Sequence, residues 1–362
     1  SLASFESATL TSANLTGANL SSASFNNANL TNAIIKGANF SSTVSKGFTE
    51  SQLKSTKSYK EKDLSGIGFS NNNLSEWDFS GQNLSLASFE SATLTSANLT
   101  GANLSSASFK NANLTSATFT NSDFTGADLT NANLTNANLT NATLKDASLV
   151  GANTTNANFS NTATKGLSRA QLEAAKNKLT NINLSNNDFA AAGWSFASAD
   201  LTNTKLENAT LTFIDFTKAT LNKTSFANAN IDDAVFTDAV ITNADFTNTS
   251  IMADQIQGTA SYKNKNLQGV IFNGNRLRNW DFTDQNLTGA SFVDANVGNT
   301  KFGGAIIENA NFTRATQKGF TQAQLKSTQS YINHNLSGIN LSENDLTGWD
   351  FSNQNLTKAV LK

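Results

Sequence analysis

Over long tracts of this chain every fifth residue is Leu or Phe, with Ala two positions before it. The row opens Ala3-Ser-Phe5, Ala8-Thr-Leu10, Ala13-Asn-Leu15, Ala18-Asn-Leu20 and runs to Ala38-Asn-Phe40 without a slip. A period of five matches neither the stripe of a helix nor the alternation of a strand. A short fixed period marks a solenoid, in which each repeat buries its apolar face only against its neighbours. In-register centres recur over 5–40, 64–159, 196–251, 267–312 and 336–361, with Leu179, Leu184 and Phe189 ahead of the third tract. About 59 centres, or roughly 295 residues, keep the period.

The motif, Ala-(Asp/Asn)-Leu-x-x, resembles that of the pentapeptide-repeat family. The resemblance implies an all-β solenoid, a right-handed quadrilateral β-helix with four pentapeptides per coil. The period by itself does not give the handedness. On such a fold the Leu or Phe and the Ala point into the tube, and the Ser, Thr, Asn, Asp, Lys and Gly between them face water. Phe69, Phe89 and Phe109 are twenty apart, as are Phe272, Phe292 and Phe312, and Phe216 and Phe236. A 20-residue coil stacks these rings into ladders that form the structural core. A single continuous solenoid over 1–362 is expected.

Four segments, near 41–63, 160–178, 252–266 and 313–335, interrupt the repeats and resemble one another. Thr49 with Gln52, Ser168 with Gln171 and Thr321 with Gln324 are capping boxes. Phe48 with Leu53, Leu167 with Leu172, and Phe320 with Leu325 have the spacing of a hydrophobic staple. The third segment has Met252 at the cap, so its box is lost, while Ile251 and Ile256 keep the staple. Each segment is therefore expected to project a short helix. Each leads to a Trp: Leu53 to Trp77, Leu172 to Trp194, Ile256 to Trp280 and Leu325 to Trp349. Three copies close on Trp-Asp-Phe-x-x-Gln-Asn-Leu; the second, Trp194-Ser-Phe196, diverges. The near-constant spacing favours Trp packing on the insert's Leu or Ile over a row of sugar-stacking platforms.

Composition excludes several functions. There is no Pro to remove a ladder donor and no Cys for disulfides or thiolate ligands. With 25 basic and 27 acidic residues, net −2, the surface is neither a nucleic-acid footprint nor dense in negative charge. No apolar run is long enough to span a membrane. The one histidine, His334, has no His or Cys companion for metal or catalysis. Asp232-Asp233 is at most a weak calcium ligand, and a square tube offers no cleft for paired acids. No enzyme activity, cofactor or metal is expected.

Residues 1–32 and 85–116 differ at only two positions, Asn26 against Lys110 and Asn32 against Ser116, which suggests recent duplication. No capping segment is visible at either end, and joining Lys362 to Ser1 keeps the register. The expected function is structural: a rod that stacks head to tail on itself into a filament, or a segment of a long surface protein. A bacterial cell envelope or extracellular setting suits the Ser/Thr/Asn-rich surface. The alternatives are a glycan- or protein-binding adhesin module and, as the family resemblance implies for some members, a DNA mimic that binds topoisomerase. The last needs a phosphate-like charge density that net −2 does not supply.

Overall fold

The computed structural model describes residues 3–362; the junction expected at Ser1 lies outside them. The chain forms two compact units, Ser1–Asn183 and Leu184–Lys362. In both, parallel bridges recur every five residues and join positions twenty apart, as in Asn83 with Asn103 and Asn103 with Asp123. Each coil thus consists of four pentapeptides. Every pairing is one residue wide, because the chain turns before a second pair can form. The wall is a stack of single bridges rather than a sheet of long strands.

One repeat shows how sequence makes the turn. Ala92 N–H donates to Phe89 O at 3.0 Å, closing a four-residue turn, and Ser91 in its third position has φ +56°. Positive φ at that position alone is the type II pattern. The same left-handed position is filled elsewhere mostly by Asn, Ser, Asp, Lys and Gly, which accounts for the small polar residues after each Leu. Between coils, Phe89 N–H donates to Ser108 O at 2.7 Å, Ser91 N–H to Lys110 O at 2.8 Å, and Ser108 N–H to Ala87 O at 2.9 Å.

The Asn before Leu has its own task. Asn103 Oδ1 accepts from the Ser105 N–H at 3.0 Å and hydroxyl at 2.7 Å, an Asx turn. Its Nδ2 donates to Asn83 Oδ1 one coil back, at 3.2 Å. The amide therefore holds its own turn and ties it to the next. Inside, Ala102 and Phe89 are buried, and Phe89 stacks on Phe109 with centroids 5.0 Å apart and planes 6° apart. Phe69 lies 5.9 Å from Phe89. In the second unit Phe292 lies 5.8 Å from Phe272 and 4.9 Å from Phe312, and Phe216 lies 5.0 Å from Phe236. Leu86 and Phe213 are large apolar residues at left-handed turn positions, 69% and 72% exposed.

Helices interrupt the coils where the bridge spacing lengthens. Asn39 pairs with Gly68 and Asn311 with Asn340, 29 positions on; Asn158 pairs with Asn183, 25 on; Asp245 pairs with Ile271, 26 on. The first unit carries α1 (Glu50–Ser55), α2 (Lys57–Lys60) and α3 (Arg169–Ala174). The second carries α4 (Ala253–Gln257), α5 (Ala260–Lys263), α6 (Gln322–Lys326) and α7 (Gln329–Ile332). Short 3₁₀ turns, Val44–Lys46, Ala163–Lys165 and Thr316–Lys318, precede α1, α3 and α6. Each is followed by a left-handed Gly. At Gly166 a Cβ would lie 2.6 Å from Lys145 Cα, so the turn needs Gly for space as well as for φ. Among the described residues no helix is long and apolar enough to cross a membrane.

Candidate functional site

At the four inserts helices or turns replace the repeat, and three sets of side chains fix them to the wall. The first is the capping Gln. Gln52 Oε1 accepts from Thr49 N–H at 2.8 Å, and Gln52 N–H donates to Thr49 Oγ1 at 3.2 Å, completing the box. Gln52 Nε2 also donates to Phe25 O at 2.8 Å and Ala28 O at 2.9 Å. In a regular coil the Ala carbonyl accepts from the next coil; the insert displaces that donor from Ala28 O, and the Gln amide takes its place. Gln171 does the same with Leu144 O and Ala147 O, and Gln324 with Val297 O and Thr300 O.

The third insert corrects the expectation that its box is lost. Met252 contributes no side-chain cap, yet Gln255 Oε1 still accepts from Met252 N–H at 2.9 Å. Gln255 Nε2 still reaches Ile231 O and Ala234 O. The donor stranded by the missing hydroxyl, Gln255 N–H, goes to Asp254 Oδ1 at 2.9 Å. Half the box survives because the Gln is held by the wall as well as by the cap.

The second set replaces a missing ladder acceptor. Ser58 Oγ accepts from Ile35 N–H, Ser261 Oγ from Ile241 N–H and Ser330 Oγ from Ile307 N–H, at 2.9, 2.9 and 2.8 Å. The second insert has no second helix, and there Asn177 Oδ1 accepts from Thr154 N–H at 2.8 Å. The third set is a clasp that sequence reasoning missed. Tyr59, Tyr262 and Tyr331 donate their hydroxyls to the carbonyls of Asp78, Asp281 and Asp350 at 2.8, 2.7 and 2.9 Å. The Gln of each closing block, Gln82, Gln285 or Gln354, donates to the same Tyr's carbonyl at 3.1, 3.1 and 3.0 Å. Trp-Asp-Phe-x-x-Gln is therefore the receptor for the Tyr, while the Ser before it bonds the preceding coil. The second insert lacks the Tyr, and its closing block has Ala199 where the others have Gln. That joint absence was the available signal.

Trp77, Trp194 and Trp280 are buried and Trp349 is half-buried. Trp77 lies 6.1 Å from Phe48 and 6.4 Å from Phe69; Trp194 lies 4.9 Å from Phe189; Trp280 lies 6.1 Å from Phe272; Trp349 lies 5.8 Å from Phe320. Leu53, Leu172, Ile256 and Leu325 are fully buried under the same inserts. The rings thus extend the interior ladders to the inserts rather than standing out as exposed platforms. His334 is exposed, beside Gln354. Asp232 and Asp233 are exposed, and among the described residues no group of three or more His, Cys, Asp or Glu is arranged to hold a metal.

Charges decorate the wall in pairs. The Lys36 ammonium, 2.7 Å away, holds the Asp63 carboxyl below its usual range. Arg314 spans two carboxylates, Asp294 at 2.5 Å and Glu343 at 3.1 Å, and holds Asp294 below its usual range. These pairs are solvent-exposed and weak individually. They set no catalytic group.

A cleft lies against the third insert. It encloses about 610 Å³ and is lined by residues including Ser250, Ile251, Met252, Asn275, Arg276 and Trp280.

Comparison with known proteins supports the architecture. A family model described as pentapeptide repeats matches residues 3–41, 63–162 in overlapping segments, 195–252, 266–304 and 335–362, well over half of the chain. Among solved structures the chain is similar to HetL, a pentapeptide repeat protein involved in heterocyst differentiation regulation from the cyanobacterium Nostoc sp. Strain PCC 7120. Identity is 21%, over 84% of this chain and 90% of that one, with a TM-score of 0.26. It is similar to Rfr23 from the cyanobacterium Cyanothece 51142 at 34% identity, over 24% of this chain and 56% of that one, TM-score 0.14. It is also similar to full-length QnrB1, a plasmid-mediated fluoroquinolone resistance protein, at 13% identity over 75% and 92%, TM-score 0.16. Among curated proteins there is no match. The repeat register, the 20-residue bridge spacing and the family match together place this chain in the pentapeptide-repeat family.

Proposed function

We propose that the protein is a structural scaffold, a right-handed quadrilateral β-solenoid whose four helical inserts stud an otherwise regular wall. The observation that carries this reading is that polar and apolar side chains alike are used to build coils. The Leu, Phe and Ala of each repeat fill the tube. The Asn amides hold turns and link neighbours, and the insert Gln, Ser and Tyr side chains bond wall carbonyls and amides. The rungs of the outermost described coils support growth by stacking. Phe5, Leu10 and Leu15, and Leu346, Phe351 and Leu356, are half-exposed, whereas equivalent residues further in are buried. A second copy stacked on these rungs would cover that apolar surface, and open bridge edges favour such pairing.

Sedimentation velocity over a concentration series tests the reading, with Leu10→Asp and Leu356→Asp as variants that place charge on the open rungs. The proposal expects concentration-dependent head-to-tail species that both variants abolish. A monomer at every concentration would refute self-stacking. A second reading, a binding module, is favoured by one observation, the cleft at the third insert.

A further inference from the structure

The first and fourth inserts share one detail that the third breaks. In the first, Asn72 is buried, and its Oδ1 accepts from Thr43 N–H and Val44 N–H, both at 2.9 Å, at the start of the 3₁₀ turn Val44–Lys46. Its Nδ2 donates to Phe40 O at 2.8 Å. In the fourth, Asn344 Oδ1 accepts from Thr316 N–H at 2.7 Å, at the start of Thr316–Lys318, and its Nδ2 donates to Phe312 O at 2.8 Å. Asn275 is the corresponding residue of the third insert. Its Nδ2 donates to Phe246 O at 2.6 Å in the same manner. Its Oδ1 is buried and has no partner.

The cause is a deletion. Phe40 and Gln52 are twelve positions apart, Phe312 and Gln324 likewise, but Phe246 and Gln255 only nine. Between Thr249 and Met252 only Ser250 and Ile251 remain, where the first insert has Val44 to Phe48. The missing three residues are the 3₁₀ turn, and the bridge spacing shortens from 29 to 26 to match. The Asn that caps the turn has stayed. The cleft of about 610 Å³ stands at this place, with the orphaned Asn275 and Trp280 among its lining and Arg276 at its rim. A buried acceptor without a donor is unfavourable, because its lost hydration is not replaced. That cost is removed by whatever brings a donor into the space.

We propose that the third insert is a binding site for a small ligand bearing a secondary amide, whose N–H replaces the lost turn N–H groups on Asn275 Oδ1. The apolar group beside the amide lies against Trp280 and Met252, and the Ser250-Ile251 link gives way to admit it. Arg276 leaves the rim cationic, so the ligand is neutral or anionic. An N-acetylated sugar and an N-acylated amino acid share this chemistry.

Saturation-transfer difference NMR on the full chain tests the proposal, with N-acetylglucosamine and N-acetylalanine as separate probes in the millimolar range. Transfer to the acetamido methyl of either supports the site, and which probe responds distinguishes the two sources. Two variants localise it. Grafting the sequence of 44–48 in place of Ser250-Ile251 restores the turn and is expected to abolish the signal while raising the melting temperature. Asn275→Leu removes the acceptor and is expected to abolish the signal; Asn72→Leu, in the first insert, leaves it unchanged. Both variants are checked for native circular dichroism, and the conclusion stands on whichever folds. No transfer to either probe, or transfer that survives in a folded variant, overturns the proposal.

Discussion

Replacing Phe89 with Ala tests whether the ladder holds the tube. Phe89 is fully buried, stacks on Phe109 at 5.0 Å, tilts against Phe69 at 5.9 Å and meets Phe79 edge-on at 5.8 Å. Truncating a buried Phe to Ala costs about 3–5 kcal/mol through lost transfer energy and the cavity left behind. Ring contacts add about 0.5–1.5 kcal/mol per pair, and the rigid stacked wall limits collapse into the void, so the upper half of that range is expected. Phe89→Leu is the control. Leu occupies the same motif position in neighbouring repeats, such as Leu94 and Leu99, so the wall accepts its shape. It is expected to cost less than half as much. Urea denaturation followed by far-UV circular dichroism measures both, with the slope checked for constancy because repeat arrays lose cooperativity. Equal, small losses for Ala and Leu would refute the ladder as a source of stability.

Ala102→Leu overpacks a buried small position and should cost about 1–3 kcal/mol in the same urea assay. Gln52→Ala removes the cap and strands the Ala28 carbonyl, Phe25 O keeping its turn bond from Ala28 N–H; about 1–3 kcal/mol is expected, with faster amide exchange across α1 and around Ala28. Phe213→Asn places a better left-handed residue at a position that buries little, and should raise stability by about 1 kcal/mol in a thermal melt. Acid should weaken the fold. Asp63 and Asp294 are held below the unfolded carboxylate value of about 3.9, so their contribution is full above it and is lost as pH falls through their lower folded values. Melting temperatures from pH 7 to 2 should decline below about pH 4, and Arg314→Gln should flatten that decline.

The coil was legible because its determinants are local. A Leu, a left-handed polar residue and an Ala define one turn within five positions, and Asn103 bonds a hydroxyl two residues away. Helix starts were legible for the same reason, since Thr49 and Gln52 are three apart. The Tyr59–Asp78–Gln82 clasp was not, because its partners lie 19 and 23 positions apart and meet only once a coil has closed. The orphaned Asn275 was hidden for a related reason. The constant spacing from Ile256 to Trp280 begins after the deletion, so the insert looked complete. Nor does one sequence reveal that the counterparts of Asn275 cap a turn; that needs Asn72 and Asn344 seen with their partners.

The central claim, a wall built to be extended by stacking, is tested most directly by electron microscopy of the purified chain over a dilution series. The account predicts filaments at high concentration, with coils stacked at the spacing of about 4.8 Å set by inter-strand hydrogen bonds. It predicts that Leu10→Asp breaks them into single particles of native circular dichroism. Separate particles at every concentration, or filaments that persist in the variant, would contradict it.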